Sequence, residues 1–555
     1  MQEISNLIQH AVKELFDIDV GVVLTRPDEQ FGDYASNIAL QLSKQVGKNP
    51  REIADQIAVK IREDSVKTVK SIDIAAPGFL NITMSDDALI SGLNYDLRQI
   101  KQYDAVLLEY SCPNAFKELH TGHLYQTIVG DAMGRILEAT GSKVFRANFG
   151  GDVGLHVAKC LYGILQELGG EYPEKLDEVD QSSRAQWISA RYVAGASAYE
   201  EDESAKSTIT DINTKIYAFH TENDHDSPLA QIYWTCREWS YDYFKNFYEK
   251  IKVAPFDKYY PESSTTNPGL ELVRQNIGPV FTESDGAVVF DGEKSGLHTR
   301  VFITSKGLPT YEAKDLGVIV TESADFAYDR RVIMTGNDQT EYMKVVFAAL
   351  GEIDADLAAK QTHFANGTIR FGSGQKMSSR LGNVTRAVEV IDEIDRVVAE
   401  QNPDADHYNT ALAAIKYSFL KHRLGGDIAF DINESVSLEG NSGPYLQYAH
   451  ARARSILGKT ASTARQPETL EEGERSLARK VNEFQEIVAK AAHDFMPHHI
   501  SGYLYELSQS FNRFYEHNRV IGDPREAERL YLVQQYADTL KEGLGLLGIH
   551  APDSM

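Results

Sequence analysis

The sequence predicts an α/β protein in which a parallel-sheet domain lies between an N-terminal α+β module and a C-terminal all-α bundle. Length is the first observation, because 555 residues exceed what one hydrophobic core accommodates and about three domains are expected. The second is the alternation of short β-branched runs with helical patterns in the middle of the chain. The third is the loss of strand patterns beyond about residue 390.

Residues 1–100 are predicted to form the α+β module. The segment "KNPREIADQIAVKI" predicts a helix with Asn49 as N-cap and Pro50 in the first turn. The segment "SIDIAAPGFLNITM" alternates like a pair of half-buried strands. The chain starts with an amphipathic pattern rather than a signal peptide, and its apolar residues at helical spacing are Ile4, Leu7, Ile8, Val12, Leu15 and Phe16.

Residues 101–385 are predicted to form the parallel-sheet domain. The runs "AVLLEY", "GAVVFD", "RVFITS" and "RVIMTG" are interpreted as its strands, joined by crossover helices. Residues 386–555 are predicted to form a helical bundle, because patterns such as "GPYLQYAHARARSIL" and "SLARKVNEFQEIVAKAA" have helical periodicity.

Composition favours a soluble, cytoplasmic protein. No run of about 20 apolar residues could span a bilayer, and the 3 cysteines are scattered without the spacing of a zinc site or a disulfide framework. The net charge of −25 argues against indiscriminate nucleic-acid binding, although a local basic face can still bind RNA.

The segment "YSCPNAFKELHTGHLYQTIVGD" carries His120 and His123 where a loop is predicted to become a helix at about residue 120. A metal pair usually has histidines at i and i+4 with a further ligand nearby, and no suitable ligand is found around these two. A helix N-terminus instead offers N–H groups and a positive dipole end to phosphates. Gly122 leaves room for a flat base on the backbone. Two ordinary helix histidines remain the alternative for this segment alone.

A second segment favours the phosphate-binding interpretation over two ordinary helix histidines. Residues 374–384 read "GQKMSSRLGNV" and carry Lys376 and Arg380. Together the His-x-Gly-His and Lys-Met-Ser-Ser segments resemble the two signatures of class I aminoacyl-tRNA synthetases. The blocks "NFGGDVGLHVAK", "FDKYYPES", "LPTYEAKDLG" and "GPYLQYAHARARSIL" are similar, in this order, to those of arginyl-tRNA synthetases. The N-terminal block "FGDYASNIAL" resembles a domain peculiar to that family, which a cysteinyl or glutamyl enzyme lacks.

The resemblance implies a Rossmann-type catalytic domain that activates L-arginine with ATP and transfers it to the terminal adenosine of tRNA(Arg). It implies that Mg²⁺ is bound with ATP, without protein ligands of its own. The second signature has Ser379 and Arg380 where many relatives carry another lysine. Part of the family compensates with a lysine ahead of the first signature, and this chain has Lys117 there. Lys117 is therefore expected to assist at the phosphates, although it can also be a surface lysine. The implied catalytic and ATP-binding residues are Lys117, His120, Gly122, His123, Lys376, Met377 and Ser378.

Recognition of arginine requires carboxylates opposite a planar guanidinium, because a bidentate pair discriminates against the ammonium of lysine. Tyr311 and Asp315 lie four residues apart, on one face if "PTYEAKDLG" is helical. The family motif implies that both hold the guanidinium, with Glu109 as a further carboxylate. Asn114 and Gln339 would hold the α-amino end.

Contacts with tRNA require aromatic side chains for base stacking and cations for phosphates. Tyr445, Tyr448 and Arg452 share one helical face, although the spacing alone favours a buried core stripe. The resemblance implies that this face, with Met555, lies near the anticodon, and that Phe79 and Asn81 meet the tRNA elbow. It also implies a monomer without DNA or membrane partners, which needs bound tRNA before it activates arginine.

Two other classes of protein fit the sequence less well than this function. A catalytically dead paralogue that regulates through tRNA binding should have lost signature residues, yet His120, Gly122, His123 and Lys376 are all present. A nucleotidyltransferase acting on a small metabolite would need neither the N-terminal module nor the helical C-terminal part.

Overall fold

The computed structural model describes residues 1–64, 67–372, 386–401 and 406–555. Lys376, Met377 and Ser378, which were predicted to bind ATP, lie outside these residues.

The N-terminal module packs helices against an antiparallel sheet with strand order β1-β3-β2. Its elements are α1 (Gln2–Phe16), β1 (Tyr34–Ser36), α2 (Ile38–Val46), α3 (Pro50–Asp64), β2 (Val69–Ala75), β3 (Phe79–Met84) and α4 (Asp86–Gly92). The predicted strand pair is β2 and β3, and the predicted cap is present because the Arg51 N–H donates to Asn49 Oδ1 at 2.9 Å. Ile4, Ile8 and Val12 are buried on α1 as expected, whereas Leu15 in its last turn is exposed.

The central part of the chain is built on a parallel sheet. Its first half consists of β4 (Ala105–Glu109), α5 (Thr121–Ala139), β5 (Lys143–Gly150), α6 (Leu155–Leu168), α7 (Arg184–Glu201), α8 (Glu203–Thr221), α9 (Pro228–Lys250), β6 (Lys258–Pro261) and α10 (Glu262–Gln275). The second half consists of β7 (Phe281–Ser284), β8 (Ala287–Phe290), β9 (Arg300–Ile303), α11 (Tyr311–Asp325), β10 (Arg330–Gly336), α12 (Thr340–Ile353), α13 (Ala355–Ala359), β11 (Gln361–Asn366) and β12 (Ile369–Phe371).

The parallel sheet has strand order β11-β10-β4-β5-β6. From β4 the chain builds outward through β5 and β6, then returns to β10 and β11 on the other side. The order therefore reverses between β4 and β10. In such sheets ligands bind outside the carboxyl ends of the strands at this reversal.

Two of the four predicted strands do not belong to this sheet. "GAVVFD" contains β8 and "RVFITS" contains β9, and both lie in a separate antiparallel sheet of order β7-β8-β9. The prediction was wrong for these runs because a short apolar strand has the same pattern in both kinds of sheet. "AVLLEY" and "RVIMTG" contain β4 and β10 of the parallel sheet as predicted.

The described residues of the C-terminal part form helices and one short strand, β13 (Ile428–Phe430), which pairs in parallel with β12. Its elements are α14 (Ala387–Gln401), α15 (His407–Leu420), β13 (Ile428–Phe430), α16 (Ile432–Ser435), α17 (Gly443–Gly458), α18 (Glu472–Asn482), α19 (Phe484–Asp494), α20 (His498–His517) and α21 (Glu526–Leu546). One apolar cluster joins this bundle to the central domain, since it includes Ile128 of α5, Ile415 of α15 and Leu504 of α20. The helix that starts at the predicted site therefore rests on the C-terminal bundle.

Candidate active site

A cavity of about 670 Å³ opens at the carboxyl ends of β4 and β10, where the strand order reverses. It brings together residues that lie up to 258 positions apart in the sequence, from Glu109 to Gly367. The predicted ATP-binding and arginine-binding residues that line it are Glu109, Asn114, His120, Gly122, His123, Tyr311, Asp315 and Gln339.

His120 and His123 form a reciprocal cap at the start of α5. The Gly122 N–H donates to His120 Nδ1 at 3.0 Å, and the His120 N–H donates to His123 Nδ1 at 3.2 Å. The two rings stack with centroids 3.7 Å apart. The backbone N–H groups of His120 and Gly122, expected to be free for phosphates, are therefore occupied by the imidazoles. Because each Nδ1 accepts a hydrogen bond, the proton of each neutral ring sits on Nε2.

The electrostatics of the two rings favour this neutral form. Burial lowers the pKa of His120, and the nearby Lys117 ammonium lowers it further. Burial places the pKa of His123 well below its usual range, with His120 and Lys117 adding to the effect. Both rings are thus neutral N–H donors at pH 7.

Gly122 is required by the position of the His120 ring. A Cβ atom at residue 122 would lie 2.9 Å from His120 Cε1 and Nδ1, closer than side-chain atoms pack. Glycine therefore permits the cap and also leaves the backbone uncovered on the cavity side.

The loop between β4 and α5 has an unusual backbone. Ser111, Cys112 and Phe116 have φ angles of 69°, 46° and 66°, a region in which non-glycine residues are uncommon and which costs about 1–3 kcal/mol each. Tertiary hydrogen bonds hold the loop: Ser111 Oγ lies 2.8 Å from the Tyr248 hydroxyl, and the Phe116 N–H donates to Ser240 Oγ at 3.0 Å. Such strain is typical of loops that position functional groups.

The chain returns to this loop just beyond the second signature. Residues 120 and 386 form a β-bridge, and the Ala387 N–H donates to the Leu119 carbonyl at 2.9 Å. The Arg386 guanidinium also pairs with Glu118 at 3.2 Å. The segment that follows the Lys-Met-Ser-Ser sequence is therefore anchored beside the two histidines.

Lys117 contacts a helix that no sequence pattern connected with it. Its ammonium lies 4.1 Å from the centroid of the Tyr192 ring on α7, a favourable cation–π arrangement. Lys117 lies beside the cavity without lining it, and its proposed contact with phosphates stays a prediction.

Asp315 is one of the carboxylates that line the same cavity. Tyr311 begins α11 and Asp315 lies one turn later, so the predicted shared face is present. Asp315 accepts a hydrogen bond from the Tyr342 hydroxyl. Burial raises the pKa of Asp315 to about 7, and the nearby Glu109 carboxylate contributes to the increase. Tyr342 was missed by the sequence prediction because α12 joins the site only through tertiary packing.

Glu109 lies at the end of β4 and is paired with a buried arginine. Arg331 of β10 donates to Glu109 and, at 2.6 Å, to Glu322 of α11. All three residues are at most 1% exposed. Burial raises the pKa of Glu322 well above its usual range. The one sequence signal for these buried ion pairs is the arginine within the apolar run "RVIMTG". The pattern of that run predicts only a strand.

Asn114 lies near further charged residues that the sequence prediction did not include. Its Oδ1 accepts from the Gly151 N–H at 3.0 Å. A Cβ at residue 151 would approach Asn114 Oδ1 and Glu262 Oε2, at 2.5 and 2.9 Å. Glu262, at the carboxyl end of β6, is buried and paired with Lys314. Its position directly after a strand was the signal that could have identified it.

The residues predicted to contact tRNA lie outside the cavity. On α17, Tyr448 is 45% exposed, and Arg452 stacks over the Tyr515 ring with 4.8 Å to its centroid. The alternative of a core stripe is wrong for the exposed Tyr448, whereas Tyr445 is half-buried and packs against the apolar core. The fully buried residues of this helix include Leu446, Ala449, Ala453 and Ile456.

The remaining predicted tRNA contacts are also on the surface. Met555 is 43% exposed and Phe79 is 37% exposed. Asn81 lies on β3 opposite Ala35 of β1. The C-terminal segment that carries Met555 is held on α17, where Gln447 Nε2 donates to the His550 carbonyl at 2.7 Å.

Within residues 1–64, 67–372, 386–401 and 406–555, no three or more His, Cys, Asp or Glu side chains are arranged to hold a metal ion. In the same part of the chain, every helix is too short or too polar to cross a membrane.

Three family models match successive parts of the chain. Residues 2–84 match the arginyl tRNA synthetase N terminal domain, and residues 446–555 match the DALR anticodon binding domain. Residues 85–431 match the catalytic domain of tRNA synthetases class I (R). This match alone covers more than half of the chain.

Whole proteins match along their full length. The chain is 28% identical over 596 residues to a Bacteroides fragilis protein named arginine–tRNA ligase, with 98% of both chains covered. A Fusobacterium nucleatum protein of the same name is 29% identical over 577 residues, covering 99% of this chain and 98% of the relative. The structure of Thermus thermophilus arginyl-tRNA synthetase matches with a TM-score of 0.83 at 26% identity and covers 100% of both chains.

The sheet, the capped histidines at its reversal point and the catalytic-domain match define a class I aminoacyl-tRNA synthetase. Within that class, the chain belongs to the arginyl-tRNA synthetase family. The fold class and the family expected from the sequence are therefore confirmed.

Proposed function

We propose that this protein activates L-arginine with ATP to form arginyl-adenylate and then charges tRNA(Arg). The observation that carries the proposal is one cavity lined both by neutral imidazole donors and by carboxylates. The imidazole donors suit phosphates, and the carboxylates suit a guanidinium. A reaction that joins ATP to arginine needs both next to each other.

In the first step an arginine carboxylate oxygen attacks the α-phosphorus of ATP, and pyrophosphate leaves with the bonding electron pair. In the second step a ribose hydroxyl of the terminal tRNA adenosine attacks the arginyl carbonyl carbon. The bond from this carbon to the AMP oxygen breaks, AMP leaves with the electron pair, and the hydroxyl proton passes to the AMP phosphate or to water. Neither step requires a nucleophile from the protein. Catalysis rests on alignment and on stabilising the charge that develops at phosphorus, each worth several kcal/mol in enzymes generally.

His120 and His123 are proposed to donate their Nε2–H groups to phosphate oxygens, while Gly122 underlies the adenine. Lys376 and the auxiliary Lys117 are proposed to stabilise the departing pyrophosphate, with Met377 and Ser378 also contacting ATP. Mg²⁺ bound with ATP supplies further charge neutralisation at the phosphate oxygens. Mg²⁺ commonly keeps water and substrate phosphates as ligands, so it is proposed to be held through ATP without protein ligands of its own.

Asp315 and Tyr311 are proposed to hold the guanidinium, with Glu109 as a further carboxylate. Asn114 and Gln339 are proposed to hold the α-amino group. Lysine offers a point charge in place of a planar fork, so it would leave buried acceptors unpaired and be rejected.

The α17 face with Tyr445, Tyr448 and Arg452 is proposed to stack on anticodon bases, with Met555 nearby. Phe79 and Asn81 are proposed to meet the tRNA elbow. Residues 1–100, 101–385 and 386–555 would then act as elbow-contacting, catalytic and anticodon-binding domains. The protein is proposed to work in the cytoplasm as a monomer, without DNA or membrane partners.

The test is charging of total tRNA with each labelled amino acid in the presence of ATP and Mg²⁺. We expect arginine alone to be attached. His123→Ala and Asp315→Ala should each lower kcat/KM about 100-fold or more, because each removes a group that binds charge in a buried site. His517→Ala and Asp242→Ala, which change exposed helix residues, should charge like the wild type.

Attachment of another amino acid would overturn the guanidinium pocket, and no attachment at all would favour the dead paralogue. Arginine-dependent pyrophosphate exchange is expected only with tRNA present. Exchange at full rate without tRNA would contradict that expectation while leaving the charging reaction in place.

A further inference from the structure

Asn366 is a polar residue of the cavity that no sequence pattern singled out. It is the last residue of β11, is 5% exposed and lines the cavity. Neither its Oδ1 nor its Nδ2 has a hydrogen-bond partner in the described part of the protein. A buried amide without partners is costly, since each unsatisfied group loses the hydrogen bonds it makes with water.

The backbone around Asn366 is held firmly, so its side chain does not reach a partner by a small shift of the chain. Residue 366 pairs with Gly336 in the sheet. A Cβ at Gly367 would lie 2.0 Å from the Gly426 carbonyl oxygen, and the Thr368 N–H donates to Asp427 Oδ1 at 2.9 Å. The carboxamide is thus preorganised toward the cavity.

Its place in the sheet decides which substrate it faces. The carboxylates Glu109 and Glu262 end β4 and β6 on one side of the reversal point. Asn366 ends β11 on the other side, where Gly336 and Gly367 also line the cavity and expose bare backbone. Among the described lining residues that belong to β10, β11 or the turns after them, Asp338 is the only charged one. The bare backbone of the two glycines leaves room beside Asn366 for a flat, neutral ring.

We propose that the Asn366 carboxamide binds the base edge of adenine, accepting from its 6-amino group and donating to a neighbouring ring nitrogen. This inference rests on the proposed function, because it assigns the base of the ATP substrate. A carboxamide presents an acceptor beside a donor, and adenine presents the complementary pair, as in the bidentate asparagine–adenine contacts of DNA-binding proteins. The bound nucleotide satisfies the two atoms that have no partner without it.

The test measures KM for ATP and for purine riboside triphosphate, which lacks the 6-amino group, in arginine charging with saturating tRNA. The wild type should use ATP with a KM about 10- to 100-fold lower than that for the analogue, as expected for one well-formed buried contact. In Asn366→Leu the KM for ATP should rise by a similar factor, and the preference for ATP should fall to about 2-fold or less. The KM for arginine should stay within about 2-fold.

Asn148→Leu is the matched control. Asn148 is 3% exposed and lies near the end of β5, but its Nδ2 donates to the Tyr248 hydroxyl at 3.1 Å. Its replacement should lower the melting temperature and keep the preference for ATP. Asn366→Leu should not lower the melting temperature of the free enzyme, because it removes a polar group without a partner.

Equal use of ATP and the analogue by the wild type would overturn the proposal. An undiminished preference in Asn366→Leu, or in the smaller Asn366→Ala if the leucine variant fails to fold, would do the same. If the wild type formed no arginyl-tRNA from ATP, the proposed function itself would fail, which is a different readout from the ratio of the two KM values.

Discussion

At the scale of single residues, the chemistry of the site depends on which groups are charged before substrate arrives. His120 and His123 are kept neutral by burial and by Lys117. Asp315 has a pKa raised to about 7 by burial, with Glu109 adding to the effect and the Tyr342 hydroxyl opposing it. The free enzyme near pH 7 therefore holds Asp315 partly protonated, although the substrate guanidinium requires its ionised form.

Arginine binding should consequently release a proton. The affinity for arginine should rise as pH increases from 6 to 8, by up to about tenfold per unit below pH 7, because only ionised Asp315 pairs with the guanidinium. Calorimetric titration at pH 7 in two buffers of different ionisation enthalpy would measure the released proton. The absence of buffer dependence would contradict this prediction.

Asp315→Asn provides the control for that measurement, since it should remove the proton release along with most of the affinity. The contribution of Asp315 to the folding stability of the wild type has the opposite pH dependence, because it decreases as pH rises. Folding raises the pKa of Asp315, so wild-type stability from this group is present at low pH and is lost as pH rises through about 7. Asp315→Asn should therefore be more stable than the wild type at pH 8, with a difference that shrinks toward pH 5.

At the scale of elements, α5 connects the capped histidines to the strained loop through a close contact. A Cβ at Gly130 of α5 would lie 2.2 Å from Cγ of Tyr110, which immediately precedes Ser111 and Cys112. The Tyr110 ring is fully buried. Glycine at position 130 thus lets the loop pack flat against the helix that carries the first signature.

Gly130→Ala should destabilise the protein by about 1–3 kcal/mol through overpacking and lower the charging rate by displacing Tyr110. Gly502→Ala makes the same change on the exposed face of α20, where nothing lies within 4 Å of the new Cβ. It should stabilise the protein by about 0.5–1 kcal/mol. Denaturant unfolding of both variants checks the pair, and similar effects of the two changes would contradict the contact argument.

At the scale of the whole molecule, ion pairs fasten the N-terminal module to the helical bundle. Asp33 is 2% exposed and accepts from the Met84 N–H and from Arg475, both at 2.6 Å, while Arg479 lies at 3.3 Å. Arg26 pairs with Glu486 at 2.8 Å. This junction sets the distance between the two surfaces proposed to hold tRNA.

Asp33→Ala should cost about 1–3 kcal/mol, because Arg475 and Arg479 lose the buried carboxylate that they share and keep only their pairs with Asp86 and Glu483. Limited proteolysis between residues 85 and 104 should become faster, and the KM for tRNA should rise more than the KM for arginine. Glu393→Ala removes a surface ion pair of α14 with Arg396 at 2.7 Å and should change stability by less than about 1 kcal/mol. Equal proteolysis rates for Asp33→Ala and the wild type would show that the junction does not depend on this residue.

Local patterns in the sequence determined much of this protein. The start of α5 at the paired histidines and the shared face of Tyr311 and Asp315 follow from spacings of three and four residues. The cap of α3 follows from Asn49 directly before Pro50. Such features depend on neighbours in the chain, so periodicity and capping chemistry predict them. The class of fold and the family followed from the same kind of local signal, combined with the order of the motifs.

Only the tertiary structure decided how distant residues pair. Glu109 and Arg331 are 222 positions apart, and their ion pair exists because β4 and β10 are neighbours in the sheet. The placement of "GAVVFD" in an antiparallel sheet, the hydrogen bond from Tyr342 to Asp315 and the unpartnered amide of Asn366 have the same origin. Burial and long-range partners are set by strand order and packing, which leave no periodic trace in any one segment of the sequence.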